Sequence, residues 1–382
     1  MLKSPPNNLV EGVAVVEKVL SEKPKQKRAA HKSSSFTVVD SLMRYAEFLG
    51  YGDVHMKVDR ATGLQAFIAV HNLKRGPAIG GCRFVTYESA DRAMEDAIRL
   101  GYMMSYKAAI NNLAHGGAKA VIIKPKVIKD REAFFEKFGE FVDELGGRYI
   151  TAVDSGTSPV EMDIIARRTP YVTCTSHSEA AGDPSPLTAL GVRRAIEAAA
   201  KFKMGRDTLE GMRVAIQGVG HVGHALAKEL HDLGAKLVVS DTNLHSLQRC
   251  VDEFGATVCA PEEIYHADVD VFAPCAMGAV LNLKTIKELK ACIVAGSANN
   301  QLSHSHYGSY MHERGILYAP DFLINAGGLI HVAVLYDHGN IQRSLEQINN
   351  IYHTVYDIYQ RAQHENCPTN KIAEKIARDR LK

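Results

Sequence analysis

MRVAIQGVGHVGHALAKELHDLGAKLVVSD, Met212 to Asp241, is the stretch that decides the fold. An apolar run with strand character, RVAIQ, leads into Gly218, Gly220 and Gly223, spaced as GxGxxG. A run with helical spacing follows, and then a second strand, KLVVS. Strand, glycine turn, helix, strand is the opening βαβ unit of a dinucleotide-binding sheet. In that context the glycines permit a tight turn, close approach of a pyrophosphate, and packing of the helix on the strand. The turn, with His221 and Val222 inside it, is expected to hold a pyrophosphate at the helix N-terminus. Asp241 ends the second strand, eighteen residues after Gly223. A carboxylate there accepts from ribose hydroxyls and repels a 2′-phosphate, which favours NAD over NADP. A glycine turn that binds nothing is the alternative, and the surrounding strand and helix argue against it.

Outward from this unit, further strands are expected at VDVFAP, CIVAGS and ILYAP, with helices between them. Asn299, Asn300 and Asn325 follow strands here. Their amides are able to bind a nicotinamide carboxamide or to tie down loops, and the residues alone do not choose between the two. Towards the N-terminus, Pro184 and Pro186 punctuate the chain before the helix LTALGVRRAIEAAAKF. Upstream lies another alternation of strands and helices, from VHMKVDRATGLQAFIAVHNL to RYITAVDSGT, which suggests a second α/β sheet. GPAIGGCRF reads there as a Gly-rich loop or strand edge. The expected organisation is a mobile basic extension over 1–35, a catalytic and substrate domain over 36–185, and a Rossmann-type domain over 186–341. Amphipathic helices over 342–382 are expected to pack back on the substrate domain.

Composition fits this organisation. The 382 residues suffice for two domains, and 46% hydrophobic with 23% charged residues is the balance of a globular protein. A net charge of +2 with no basic stripe in the body does not suggest nucleic acid. Seven cysteines, scattered and without a CxxC pair, indicate reduced thiols and a cytoplasmic location, and no metal site is expected. No apolar run reaches the roughly 20 residues of a membrane span.

The chemical centre is expected in MMSYKAAINNLAHGGAKAVII, Met103 to Ile123, where Lys107 and Lys119 lie among apolar and small residues. A lysine in such surroundings loses solvation for its charge and becomes able to act as a base near neutral pH. A snorkelling lysine on a helix, followed by a Gly turn into a buried strand, reads equally well from this stretch alone. Asp154, at a strand end in TAVDSGT, where catalytic groups collect in open α/β sheets, reads by itself more readily as a cap or turn residue.

Taken together these segments resemble the Glu/Leu/Phe/Val amino-acid dehydrogenases, and among them most closely the leucine dehydrogenase branch. The resemblance runs from about Val54 to Arg380 and is carried by GPAIGGCRF, MSYK, GGAKAVI, RYITAVDSGT, TLEGMRVAIQGVGHVG, VFAPCAMG, AGSANNQL and YAPDFLINAGGLI. It implies that Lys119 is the catalytic lysine, that Lys107 binds the substrate α-carboxylate beside Gly80 and Gly81, and that Asp154 relays protons at the amino group. It also implies that Thr188, Asn299, Asn300 and Asn325 lie near the nicotinamide end, with the active site in a cleft between two domains. Glutamate-specific relatives carry a lysine where this chain has Ile79. With Ala152, Leu329 and Val332 at the other matching positions, an apolar pocket is expected, for Leu, Val or Ile, with aromatic substrates as the alternative. A catalytically silent binding protein is a further alternative, against which the intact Lys107, Lys119 and Asp154 speak. The resemblance further implies reversible oxidative deamination to a 2-oxo acid and ammonia, and a homo-oligomer between dimer and octamer. Ser155 stands where relatives commonly have valine, and IHVAVL (330–335) departs from the usual pattern through His331, Val334 and Leu335.

Overall fold

A computed structural model of the chain describes residues 38–51, 53–178 and 182–382. The N-terminal extension lies outside them. The chain forms two compact units. One comprises Pro184–Gly327 and Ile348–Ala373; the other comprises the described residues up to Asp183 with Gly328–Gln347 and Glu374–Lys382.

The first of these units is built on six parallel strands: β6 (Arg213–Gln217), β7 (Lys236–Ser240), β8 (Thr257–Val258), β9 (Val271–Pro274), β10 (Ile293–Val294) and β11 (Leu317–Tyr318). Their order is β11-β10-β9-β6-β7-β8, with parallel register at every pair. Counted from β6 this is the 3-2-1-4-5-6 order of a doubly wound dinucleotide sheet. The strand order reverses between β6 and β9, and ligands of such sheets bind beyond the strand ends at that point.

The other unit carries a five-stranded sheet: β1 (Asp53–Asp59), β2 (Leu64–Asn72), β3 (Ala78–Val85), β4 (Gly116–Ile123) and β5 (Tyr149–Ala152), in the order β1-β2-β4-β3-β5. β2 is antiparallel to both its neighbours, whereas β3 runs parallel to β4 and β5. Strand periodicity sorts side chains to two faces. Leu64, Ala66, Ile68, Val70, Ala118, Ala120 and Ile122 join one core with Phe134 and Phe138. Phe67, Ala69 and Val121 join a second with Ala93, Ala97 and Ile98 of the helix Ala90–Ile110. Lys119, one step from Ala118 and Ala120, therefore points to the face covered by that helix.

Two segments differ from their expected form. GGAK is strand, not a turn before one, and GPAIGGCRF supplies β3, an interior strand, not an edge. Close approach of backbones explains both. A Cβ at Gly117 would lie 2.0 Å from the Ser105 nitrogen of the covering helix, and one at Gly80 would lie 1.9 Å from the Ala118 carbonyl oxygen. Gly117→Ala is thus expected to lower stability by about 1–3 kcal/mol through overpacking. Urea unfolding checks this, and an unchanged midpoint would contradict the packing described.

A third difference concerns the C-terminal helices, expected to return together to the substrate domain. Helix Ile351–Glu365 instead belongs to the dinucleotide-type unit. Tyr359 packs on Phe202 with ring centroids 5.4 Å apart, and Arg194 stacks over Tyr352 at 4.9 Å; both partners lie on the helix Ser185–Met204. The substrate-side unit keeps Glu374–Lys382 and also takes Gly328–Gln347, of which 328–341 were expected in the Rossmann-type domain.

Candidate active site

In the five-stranded unit, Lys119 on β4 is buried at 7% exposure. Its Nζ forms an ion pair with Asp154 Oδ2, at the loop that follows β5. Gly81 on β3 makes room for this pair: a Cβ there would lie 2.8 Å from the Asp154 Cβ. The loop is pinned by its own hydrogen bonds. The Asp154 amide donates to Thr157 Oγ1 at 2.9 Å, and Thr157 Oγ1 donates to the Cys82 carbonyl at 3.1 Å.

Burial pushes the Lys119 ammonium down to about 7, with the Arg83 guanidinium the next cause and Lys107 a smaller one in the same direction. The Asp154 carboxylate favours the protonated form of its partner. The carboxylate is thus placed to exchange a proton with the lysine or with a bound group, and burial brings the lysine's own titration towards neutrality. Lys107 lies in the last turn of the helix Ala90–Ile110, half-buried, and Asn111 Nδ2 donates to its carbonyl at 2.9 Å.

Register places Ile79 opposite Gly117 and Arg83 opposite Val121. Ile79, Gly81 and Arg83 consequently share a face with Lys119. Ile79 is fully buried. Ala152 belongs with Leu335 to the other core cluster, against which Val332 packs and which Ile79 does not join. Leu329 is half-buried on the helix Gly327–His338. The four expected pocket positions are therefore not gathered into one described cluster. His115, with ring nitrogens at the Pro77 carbonyl and the Asp337 carboxylate, is a packed structural residue. Among the described residues no group of three His, Cys, Asp or Glu side chains could hold a metal.

In the other unit the glycine turn has the geometry a dinucleotide requires. Gly218 takes φ +91°, and a Cβ on it would lie 2.5 Å from the Ala276 Cβ. A Cβ on Gly223 would lie 1.9 Å from the Gly218 carbonyl oxygen. The helix His221–Asp232 starts at Gly220 without a side-chain cap, and the space around Gly220 is open. Its first N–H groups are left for an anion. His221 is exposed and Val222 half-buried at this end. Asp241 ties the second strand to the turn: Oδ2 accepts from the Val219 N–H at 2.7 Å and Oδ1 from the Asn243 N–H at 2.8 Å.

Asn325 Nδ2 donates to Asn299 Oδ1 at 2.9 Å and to the Ser297 carbonyl at 3.1 Å. Asn325 Oδ1 is buried and has no hydrogen-bond partner among the described residues. A buried acceptor left in this way calls for a donor, and the amide of a nicotinamide is one. Asn300 takes φ +52° at an exposed position. Thr188 Oγ1 donates to the Pro184 carbonyl at 3.1 Å, so its hydroxyl offers a ligand only its acceptor side. The cradle and the open acceptor fit a nicotinamide dinucleotide.

A glycine turn open to a dinucleotide in one unit and a buried lysine–aspartate pair in the other are features a nicotinamide-dependent dehydrogenase would need. A family model described as Glu/Leu/Phe/Val dehydrogenase, dimerisation domain, matches residues 51–171. A second, Glutamate/Leucine/Phenylalanine/Valine dehydrogenase, matches 183–243 and 242–380. The leucine dehydrogenase of Geobacillus stearothermophilus is 46% identical over 342 residues, 89% of this chain and 93% of its own. The L-tryptophan dehydrogenase of Nostoc punctiforme is 42% identical over 322 residues, 83% and 90% of the two chains. A crystal structure of L-tryptophan dehydrogenase from Nostoc punctiforme matches with a TM-score of 0.77 at 38% identity, covering 89% of this chain and 98% of that one. The chain belongs to the Glu/Leu/Phe/Val dehydrogenase family, and it is an NAD-dependent amino-acid dehydrogenase.

Arg83 was not among the residues singled out in the sequence, although it lies within GGCRF. A charged residue one step from Cys82 and Phe84 in a buried strand was the available signal.

Proposed function

We propose that the chain catalyses reversible, NAD-dependent oxidative deamination of a branched-chain L-amino acid (Leu, Val or Ile) to the 2-oxo acid and ammonia. The observation that carries this is the buried Lys119–Asp154 pair, in which burial pushes the Lys119 ammonium down to about 7. The high identity to leucine dehydrogenases supports the choice of substrate.

Lys107 Nζ pairs with the substrate α-carboxylate beside Gly80 and Gly81, which fixes Cα. Asp154 takes a proton from the α-amino group, so that nitrogen can share its lone pair as Cα loses hydride. NAD, when bound, would supply the acceptor for that hydride; the turn Gly218–Gly223 would hold its pyrophosphate and Asn325 its carboxamide, with Asn299, Asn300 and Thr188 as further candidates. Lys119, neutral at this stage, takes a proton from water as the oxygen attacks the imine carbon. Asp154 returns its proton to nitrogen, and ammonia leaves as the carbonyl forms, the hydroxyl giving its remaining proton to the freed Asp154 carboxylate.

Ile79, where glutamate-specific relatives carry a lysine, argues against glutamate. A second carboxylate there would be buried without a cation, at a cost of about several kcal/mol. The 42% identity to an L-tryptophan dehydrogenase favours an aromatic substrate as the second reading. The reaction is tested by incubating the protein with NAD and L-leucine and measuring products: NADH, ammonia and the 2-oxo acid are expected in equal amounts. NADH without ammonia would exclude deamination.

Asp241 at the end of β7 supports NAD as the partner. Asp241→Ser is expected to lower the NAD-over-NADP ratio of kcat/KM by about tenfold or more, by removing the charge that repels a 2′-phosphate. An unchanged ratio would take Asp241 out of this role.

A homo-oligomer is part of the proposal. Val54, Met56 and Val58 lie on one face of β1, an edge strand, and are 38%, 63% and 58% exposed. An apolar stripe on an open sheet edge invites a second chain, within the region matched by the dimerisation-domain model. Met56→Glu is expected to shift the protein to a smaller species in light scattering, and an unchanged mass would exclude this face. No helix among the described residues is long and apolar enough to cross a membrane. The seven unpaired cysteines support a reducing, cytoplasmic location.

A further inference from the structure

Arg83 is the one charged residue of β3, AIGGCRFV. Its Nη1 donates to Asp96 Oδ2 on the covering helix at 2.8 Å. That carboxylate also accepts from the Tyr87 hydroxyl at 2.7 Å and from Arg99 Nη2 at 2.8 Å. One aspartate thus answers two arginines, and Arg83 has a second carboxylate within reach. Arg83 Nη2 lies 3.8 Å from Asp154 Oδ1, while Asp154 Oδ2 meets Lys119 Nζ. Arg83 Nε is buried and makes no hydrogen bond among the described residues. A guanidinium needed only to anchor the helix would have no reason to reach across to Asp154.

We propose that Arg83 is a positioning residue of the deamination site: its guanidinium, in an ion pair with the Asp154 oxygen that also accepts from the Ser155 N–H, helps keep the other oxygen turned to Lys119, and it keeps a permanent positive charge beside that lysine. This deepens the proposed function and rests on Lys119 acting as the base.

Lys119 is faced by Arg83 from β3, by Asp96 and Lys107 from the helix Ala90–Ile110, and by Asp154 from the loop after β5, while the Cys82 thiol of β3, pushed up to about 11 by burial, belongs to the opposite face. β2 presents only Ala69 opposite it. Of the charges Arg83 does most to disfavour the ammonium, Lys107 does less, and Asp96 opposes them. Arginine does not deprotonate at any working pH, so its effect is constant where a lysine in the same place would titrate. Its planar fork also allows one side chain to address Asp96 and Asp154 together.

The test is the pH profile of kcat/KM for L-leucine between about pH 5.5 and 10, with NAD saturating, for wild type, Arg83→Met and Arg83→Lys. Removing a cation beside Lys119 favours its protonated form, so the rising limb should move to higher pH. In R83M the limb is expected to rise by about one pH unit, giving about a tenfold deficit at pH 6 that narrows above pH 9. R83K, which keeps the charge below its own titration, should hold the limb near its wild-type position while losing rate through a poorer grip on Asp154. A loss in R83M by the same factor at every pH, or an equal limb shift in both variants, would overturn the proposal. If circular dichroism shows R83M unfolded, Arg83→Gln replaces it, since Gln keeps hydrogen-bonding capacity without charge and carries the same expected limb shift. Failure of the underlying reading is separate: a wild type that deaminates no amino acid removes the base role of Lys119, and the proposal with it.

Discussion

Lys119→Ala should lower kcat/KM for amino-acid oxidation by about 10²–10⁴, the range general-base catalysis contributes, and leave NAD binding nearly unchanged. The reason is local. Lys119 is the buried amine on the helix-covered face of β4, and its lowered proton affinity leaves a large neutral fraction at pH 7 and above. Deamination needs that neutral form, so the wild-type rate should rise as pH passes through about 7, and the variant should lose this limb. NAD binding is assigned to residues of the other unit, so fluorescence titration with NADH should give similar affinity. A variant within threefold of wild type, or one retaining the limb, would remove Lys119 from the mechanism. Alanine at this buried site creates a small cavity, so unfolding midpoints are measured alongside to separate lost chemistry from lost structure.

Asp154→Asn should be nearly as damaging, by about 10²–10³ in kcat, because the amide keeps the shape but cannot accept and return a proton. Asparagine retains an acceptor oxygen for the Ser155 amide, which Asp154 Oδ1 now accepts, so the loop should keep its form. The charge change also leaves Lys119 facing the Arg83 guanidinium without a carboxylate between them, which further disfavours the ammonium. The variant should therefore lose rate at all pH values, and raising the pH should not restore it. Recovery at high pH would mean that Asp154 only adjusts Lys119 and handles no proton of its own.

The dinucleotide unit was the more legible half of the chain. Its glycines sit in a local strand–turn–helix–strand pattern whose meaning does not depend on distant residues, and the turn around Gly218 follows that pattern. The substrate-side unit was less legible because its glycines serve long-range contacts. Gly80 reads from sequence as part of a loop or strand edge and Gly117 as part of a turn or of a close backbone approach, and both occupy strands where another backbone leaves no space for a Cβ. Nothing in their immediate neighbours reveals which segment arrives there.

Lys119 and Asp154 were singled out by apolar context and by resemblance, but their contact required parallel pairing of β3 with both β4 and β5 to bring the two segments together. Arg83 escaped notice for a related reason. Its partners, Asp96 and Asp154, come from a helix and a loop that only the folded sheet assembles. The helix Ile351–Glu365 shows the limit of periodicity: an amphipathic pattern tells which face is buried but not against what, and here the partner is the helix Ser185–Met204.

The most direct test of the central claim is the initial rate of NADH formation with NAD and a panel of L-amino acids at alkaline pH. The account predicts kcat/KM for Leu, Val or Ile above that for Glu by about 10³ or more, since glutamate would bury an unpaired carboxylate beside Ile79. A preference for Trp or Phe would keep the chemistry and contradict the branched-chain assignment. Oxidation of glutamate at a comparable rate, or of no amino acid while NAD still binds, would contradict the account.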